Sequence, residues 1–157
     1  MLEFSRARLL GTLDGIDRLS GADVQKALAW RPGAGRAHMA WQFMHCAASH
    51  DRYLNGTLLG GQPTDPQLIA DFAGGSTPRD DNVPTVADIR KTLDEHYAKL
   101  KAYVSALSPA DLDRKFMMGR NERTVGESIL LMAWHEGHHH GQIVLTWNLY
   151  KAAHGIV

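Results

Sequence analysis

The sequence offers little from which a disulfide-linked, nucleic-acid-binding or membrane-embedded protein could be built. Its single cysteine, Cys46, excludes an internal disulfide and is typical of a reducing compartment. Lysine plus arginine (17) equals aspartate plus glutamate (17), so net charge gives no electrostatic case for binding nucleic acid or an anionic membrane. No segment is long and apolar enough to span a bilayer, and the first residues lack the apolar run of a secretory signal. We therefore expect a cytoplasmic protein with neither a nucleic-acid nor a membrane partner.

The chain also lacks internal repeats and any apolar–polar alternation long enough for a sheet. Its 157 residues, 44% of them hydrophobic, suit one domain over residues 1–157. Apolar residues recur at helical spacing in four long segments, about 2–19, 36–54, 85–108 and 124–151. Between the second and third segments, residues 55–84 are rich in Gly, Pro, Asp, Asn and Thr, with one helical turn expected at 67–72. The pattern predicts an all-α fold: a four-helix bundle with a long crossover connection between helices 2 and 3.

Capping signals predict where several helices begin. Thr124 and Glu127 have the spacing of a capping box, in which each residue satisfies a free backbone N–H group of the other. Thr85 and Asp88 repeat that spacing at the start of the third long helix. Ser20 is expected to cap a short helix after the first long one, and a second capped turn is expected at 108–111.

The final helix has an inward stripe that is polar in its middle. At 100° per residue, His139 and Gln142 lie within about 60° of His135, where a helix that faces a core usually carries Leu. A buried polar group left without a partner costs about 1–3 kcal/mol, so such groups are hydrogen-bonded or bind a metal. His135 and His139 lie one turn apart, which predicts that they bind one divalent ion together. His140 points away from the stripe, and we expect it, like His138, to be an ordinary histidine.

The second long helix also places a histidine, His45, where a core residue is expected. His38 shares that face but lies about 10 Å along the axis, too far to serve the same ion. His96 lies on the apolar stripe of the third helix and is expected to be a core histidine, with roles as a fourth ligand or a ligand-orienting residue left open. Cys46 lies off the stripe and is expected to pack.

Two regions of the sequence resemble the DinB/YfiT-like superfamily. The first is the segment HEGHHHGQIVL, which contains His135 and His139, and the second is Arg31-Pro32 followed by AWQFMHCAASHDRYLNG. The resemblance covers most of the chain. It implies a four-helix bundle, commonly dimeric, with a divalent metal held by one histidine of the second helix and two of the fourth. By position these are His45, His135 and His139.

The resemblance also implies a range of functions. The family contains metal-dependent thiol S-transferases and a mycothiol-dependent isomerase, alongside many members with no known reaction. A metal with three protein ligands keeps an open position, where water or a thiol can lose its proton. We therefore expect a metal-dependent hydrolase or thiol S-transferase that acts on a small electrophilic substrate, with a low-molecular-weight thiol as one possible partner. Three histidines suit zinc or nickel best, and iron or manganese are also compatible.

Roles for the residues around the metal follow as hypotheses. Gln142 or His138 would orient the ligands, Arg52 or Trp41 would line a pocket, and Glu136 could accept a proton, although its direction on the helix argues against that role.

Three alternatives to this function are open to the same sequence. His135-Glu136-Gly137-His138-His139 also matches the H-E-x-x-H pattern of zinc peptidases, but the chain has no predicted strand to hold a peptide. Glu136-x-x-His139 occurs once, whereas a ferritin-like di-iron site needs two such pairs. The third alternative is a non-enzymatic metal-binding bundle that acts in a stress response or binds a partner.

A homodimer is expected from a second apolar face of the final helix. Ile129, Ala133, Ile143, Val144 and Trp147 lie well away from the His135 stripe. A helix that is hydrophobic nearly all round is buried on both sides. The sequence therefore predicts that this face, including Val144 and Trp147, pairs with a second subunit.

Overall fold

The structure is a computed structural model, which describes residues 1–156. It is mainly helical, in agreement with the all-α prediction, and adds one small two-stranded sheet. In chain order the elements are α1 (Leu2–Asp17), α2 (Ala22–Ala29), α3 (Met39–Asp51), a π-helix (Arg52–Leu58), α4 (Pro66–Phe72), α5 (Val86–Ser105), α6 (Pro109–Leu112), β1 (Lys115–Met118), β2 (Asn121–Thr124) and α7 (Val125–His154).

Side-chain caps begin the helices largely where the sequence predicted. Thr124 and Glu127 form both bonds of a capping box at the start of α7, and Thr85 and Asp88 do the same for α5. The predicted cap at Ser20 is wrong. Gly21 occupies the N-cap position of α2 with a φ of 53°, and no side chain caps that helix.

The second predicted long helix differs at both ends. It begins at Met39 rather than Arg36, because His38 is its N-cap and accepts a hydrogen bond from the Trp41 backbone N–H at 3.1 Å. After Asp51 the chain continues as a π-helix rather than ending at Leu54. Such segments are rare and frequently occur at functional sites.

Between α6 and α7 the structure has a β-hairpin that the sequence did not predict. Lys115 pairs with Thr124 and Met118 with Asn121, in antiparallel register. Each strand is four residues long, too short for its alternation to stand out. Gly119 in the turn has a φ of 65°, a value that glycine adopts without strain.

The longest helices pack side by side around the core. α7 packs against both α1 and α3, and α3 also packs against α5. Leu9, Phe43, Leu93 and Ile143, one from each of these helices, are fully buried in the main apolar cluster. Among residues 1–156, no helix has both the length and the apolar character needed to cross a membrane.

The face of α7 that the sequence assigned to a dimer packs largely within the subunit. Ile143 is fully buried, Ala133 is 2% exposed, and Trp147 is partly buried against the main cluster. Ser5 of α1 donates a hydrogen bond to the Ala133 carbonyl at 3.1 Å, so α1 covers this face. A different stripe of α7 is exposed, formed by Leu130, Trp134, Leu145 and Leu149.

Candidate metal centre

His45 of α3 converges with His135 and His139 of α7. Each of the three offers one ring nitrogen, and these nitrogens all lie within 4.8 Å of one another. The ring centroid of His45 lies 5.1 Å from that of His135 and 4.5 Å from that of His139. Two helices far apart in sequence therefore bring together the three histidines that the sequence singled out.

His45 is held so that its Nε2 keeps a lone pair, with the hydroxyl of Ser49 3.5 Å away. Its Nδ1 lies 2.6 Å from the carbonyl oxygen of Phe72, which can only accept, so Nδ1 carries the proton and Nε2 keeps its lone pair. The indole of Trp41 stacks on the ring at 4.7 Å and is itself fixed by a bond from Nε1 to the Asp71 carbonyl. Trp41 thus supports a ligand instead of lining the cleft described below.

His139 is oriented in the same way by a side-chain amide. Its Nδ1 lies 2.5 Å from Oε1 of Gln42, which leaves Nε2 free to bind a metal. Gln42 in turn donates to Oε1 of Gln142, and the Gln142 amide nitrogen lies 2.7 Å from Nε2 of His138. Gln142 therefore acts on His139 through Gln42, and His138 acts through Gln142.

Burial keeps the three imidazoles neutral. Burial, and after it the neighbouring histidines, lowers the pKa of His139 to about 3 and that of His135 to about 4. Burial also lowers the pKa of His45, although the bond to the Phe72 carbonyl offsets part of that effect. Neutral imidazole is the form that binds metals, so the donor set suits a divalent ion at neutral pH.

A polar cleft of about 480 Å³ reaches two of these histidines. Its lining includes His45 and His135, together with Ser49, Arg52 and Tyr53. Arg52, one of the two residues expected to line a pocket, is among the residues that line this cleft. The hairpin contributes to the lining through Met118 and Gly119, outside every motif of the sequence.

Glu136 points away from this cleft. It is fully buried, its Oε1 lies 3.0 Å from Nε of Arg6, and its Oε2 lies 3.2 Å from Nε2 of His50. The Arg6 guanidinium also lies over the ring of Tyr97 at 4.7 Å. Glu136 therefore has a structural role, and its use as a proton acceptor is excluded by this position. The same position argues against the peptidase and di-iron alternatives, which both require this carboxylate at the metal.

The remaining histidines have local partners. His38 caps α3 and its Nε2 donates to the carbonyl of Arg79. His140 bonds to the hydroxyl of Thr12, and His154 to the carbonyl of Tyr150. None of these three belongs to the convergent group.

His96 is a core histidine, as expected, and lies beside a buried carboxylate. Its Nδ1 is 3.9 Å from Oδ1 of Asp51. Burial alone raises the pKa of Asp51, but hydrogen bonds from Thr64, Asp65 and Asn55 outweigh it and hold the value below its usual range. Asp51, the last residue of α3, therefore holds Thr64 and Asp65 of the long connection by hydrogen bonds.

Two residues that orient the site were missed by sequence reasoning. Gln42 lies three positions before His45, at the edge of its stripe, and that spacing was the available signal. The Phe72 contact uses a backbone carbonyl, for which no residue type provides a signal.

Comparison with known proteins agrees with this geometry. The sequence model described as the DinB superfamily matches residues 1–143, which is most of the chain. A search of curated proteins found no match. The histidine group and the family match together fit a metal-binding protein of the DinB type. The chain belongs to the DinB superfamily.

Proposed function

We propose that the protein is a divalent-metal-dependent enzyme that acts on a small electrophilic substrate, as a thiol S-transferase or a hydrolase. The observation that carries this proposal is the opening of a polar cleft onto His45 and His135. A purely structural metal site is closed by protein ligands, whereas three ligands beside a cleft leave room for a reactant. The proposed ligands are His45, His135 and His139, and zinc or nickel is the proposed ion.

The residues of the chain have separate tasks in this proposal. The bound ion would supply positive charge at which a thiol or water loses its proton. Phe72 and Gln42 hold His45 and His139 so that their free nitrogens converge. Arg52 and Tyr53 bind the substrate along the cleft wall.

The protein itself supplies no obvious thiol nucleophile. Cys46 is fully buried, and burial raises the pKa of its thiol well above the usual range. A thiolate at the site would therefore come from a small molecule. This requirement favours an external thiol as co-substrate.

The four longest helices would form the predicted bundle, with the connection between the π-helix and α5 as its crossover. That connection contributes the Phe72 carbonyl to the centre and Ala73 and Gly74 to the cleft. In this proposal the crossover shapes the substrate site.

Replacing any one of His45, His135 or His139 by alanine is expected to remove most of the bound metal. Each change takes one imidazole from a three-ligand set, while the surrounding helices keep their packing. Elemental analysis of untagged protein after dialysis measures the effect. His140→Ala and His154→Ala are matched controls and should retain wild-type metal content.

Full metal content in His45→Ala would contradict the ligand assignment. Turnover is tested separately, with a panel of low-molecular-weight thiols against a reporter electrophile. Metal bound at the triad without turnover of any thiol–electrophile pair or hydrolysable ester would favour the non-enzymatic bundle instead.

We further propose a homodimer that pairs through the exposed stripe of α7. Leu130, Trp134 and Leu145 are 59%, 59% and 61% exposed, and Leu149 is 44% exposed. At 100° per residue these side chains share one face, which runs about 28 Å along the helix. Large exposed apolar side chains on one helix face are typical of protein interfaces.

Trp134→Asp is expected to convert the dimer to a monomer, because it places an unpaired charge in a dry interface. Sedimentation at micromolar concentration measures the change. Leu59→Asp, at an exposed leucine outside α7, is the control and should leave the mass unchanged. A monomeric wild-type protein would contradict the proposal.

A further inference from the structure

A series of hydrogen bonds joins an exposed part of α7 to the candidate metal centre. Nε2 of Gln42 donates to Oε1 of Gln142 at 3.0 Å, and the amide nitrogen of Gln142 lies 2.7 Å from Nε2 of His138. At the inner end, Oε1 of Gln42 lies 2.5 Å from Nδ1 of His139. The two glutamines and His138 are called the glutamine relay. His138, at its outer end, is exposed, whereas both glutamines are partly buried.

The glutamine relay has a direction, because each amide has a donor end and an acceptor end. Gln42 accepts from His139 and donates to Gln142, and Gln142 in turn donates to His138. Neutral His138 therefore accepts at Nε2 and carries its proton on Nδ1. In this forward direction, His139 carries its proton on Nδ1 and keeps a lone pair on Nε2, the atom proposed to bind the metal.

The reverse direction would satisfy the same hydrogen bonds. If His138 donates at Nε2, the Gln142 oxygen accepts there and its nitrogen donates to Gln42. Gln42 then presents its nitrogen to His139, so Nδ1 of His139 must accept and Nε2 carries the proton. A protonated Nε2 has no lone pair for a metal. Neither direction requires a charged imidazole.

Reversal of the glutamine relay needs little movement of the side chains. An amide that turns by half a rotation exchanges its oxygen and nitrogen, which are nearly equal in size. The ring of His138 can keep its place against the indole of Trp134, on which it stacks with 5.1 Å between the centroids. Both directions of the relay therefore fit one backbone structure.

We propose that the glutamine relay is a tautomer switch, in which the group at position 138 sets whether His139 can bind metal. A hydrogen-bond acceptor at that position holds the forward direction, and a donor imposes the reverse. This assignment rests on the proposed function, in which His139 is a ligand, and adds a regulatory contact at the exposed ring of His138. A carboxylate that accepts from Nδ1 of His138 favours metal binding, and an ammonium group that donates to Nδ1 opposes it.

Two substitutions at the exposed position 138 test the switch in metal-free protein. His138→Glu offers only acceptors to Gln142, and His138→Lys offers only donors. Nitrogen NMR of isotope-labelled histidine reports which ring nitrogen of His139 carries the proton, at about pH 8, where free imidazole is neutral. His139→Gln assigns the signals. We expect the Nδ1–H form in the wild type and in His138→Glu, and the Nε2–H form in His138→Lys.

The two variants also differ in charge, and a third substitution separates that effect from hydrogen bonding. Gln142→Met interrupts the relay but leaves the charge at position 138 in place. In that background, His138→Glu and His138→Lys should show the same His139 tautomer. With Gln142 present, zinc titration should show an affinity about ten- to a hundredfold higher in His138→Glu than in His138→Lys, beyond any difference that remains in the Gln142→Met background.

The same His139 tautomer in His138→Glu and His138→Lys would overturn the proposal, and so would a tautomer difference that persists after Gln142→Met. If the tautomer follows position 138 while His139→Ala keeps full metal content, the metal assignment fails and the control of the tautomer stands. If the three histidines bind metal while the tautomer is independent of position 138, the switch fails and the proposed function stands.

Discussion

Replacing Arg6 by methionine is expected to lower the free energy of unfolding by about 3–5 kcal/mol. Glu136 is fully buried, so the change leaves its carboxylate in the interior with only His50 beside it. Methionine matches the length of the arginine stem and isolates the effect of the charge. For a chain of this size, the melting temperature should fall by roughly 10 °C. Urea and thermal unfolding measure both quantities.

A matched surface pair provides the control for this result. Arg90 pairs with Asp14, and the two side chains are 36% and 50% exposed. Arg90→Met should cost at most about 1 kcal/mol, as exposed pairs do. The double variant Arg6→Met/Glu136→Gln should recover much of the lost stability, because it removes the unpaired charge. A loss in Arg6→Met no larger than in Arg90→Met would show that the buried cluster does not stabilise the fold.

Metal affinity is expected to stay nearly constant as the pH falls from about 8 to about 6.5, where free imidazole titrates. Protons displace a metal only by protonating its ligands in the folded protein. There burial lowers the pKa of His135 to about 4 and that of His139 to about 3. Burial lowers the pKa of His45 as well, so the affinity should fall only at a pH below the range in which free imidazole titrates. Metal titrations at a series of pH values measure it.

The stability of the metal-free protein should also decrease as the pH falls. The folded-state pKa values of these histidines lie below the unfolded value of about 6.5. The stability they contribute is therefore fully present above about pH 6.5 and is lost progressively as the pH falls toward the folded values. Bound metal adds about 2.7 kcal/mol at a hundredfold excess over its Kd, so the melting temperatures with and without metal should differ clearly at neutral pH.

His135→Ala is the control for both measurements. It should melt at the same temperature with and without metal at every pH, because the triad is incomplete. A tenfold loss of wild-type affinity between pH 7 and pH 6 would contradict the prediction, since it would mean that the ligands titrate as exposed imidazoles. Equal melting temperatures with and without metal near pH 8 would mean that the histidines are a satisfied polar core.

The helices and the histidine group could be predicted from the sequence because both depend on local spacing. Thr124 with Glu127, and Thr85 with Asp88, begin α7 and α5 as expected. His45, His135 and His139 were identified by their places on two helical stripes, and the structure brings them together.

The walls of the site depend on contacts that local spacing does not encode. Arg6 reaches Glu136 across 130 positions, and that pairing turns the carboxylate away from the cleft. The face of α7 that the sequence assigned to a second subunit packs largely within its own subunit, because a helix that is apolar nearly all round does not reveal which face its own chain covers. The hairpin strands were too short to give a pattern.

The hydrogen bond between His45 and the Phe72 carbonyl makes the orientation of the histidine independent of the residue type at position 72. A backbone acceptor is present whatever side chain occupies position 72, provided that this side chain still packs in the core, where Phe72 is 5% exposed. The exposed positions of α4, such as Gln67, can therefore change without removing the atom that orients the histidine. The surface of the long connection can therefore be redesigned for new ligands while the geometry of the candidate metal centre is kept.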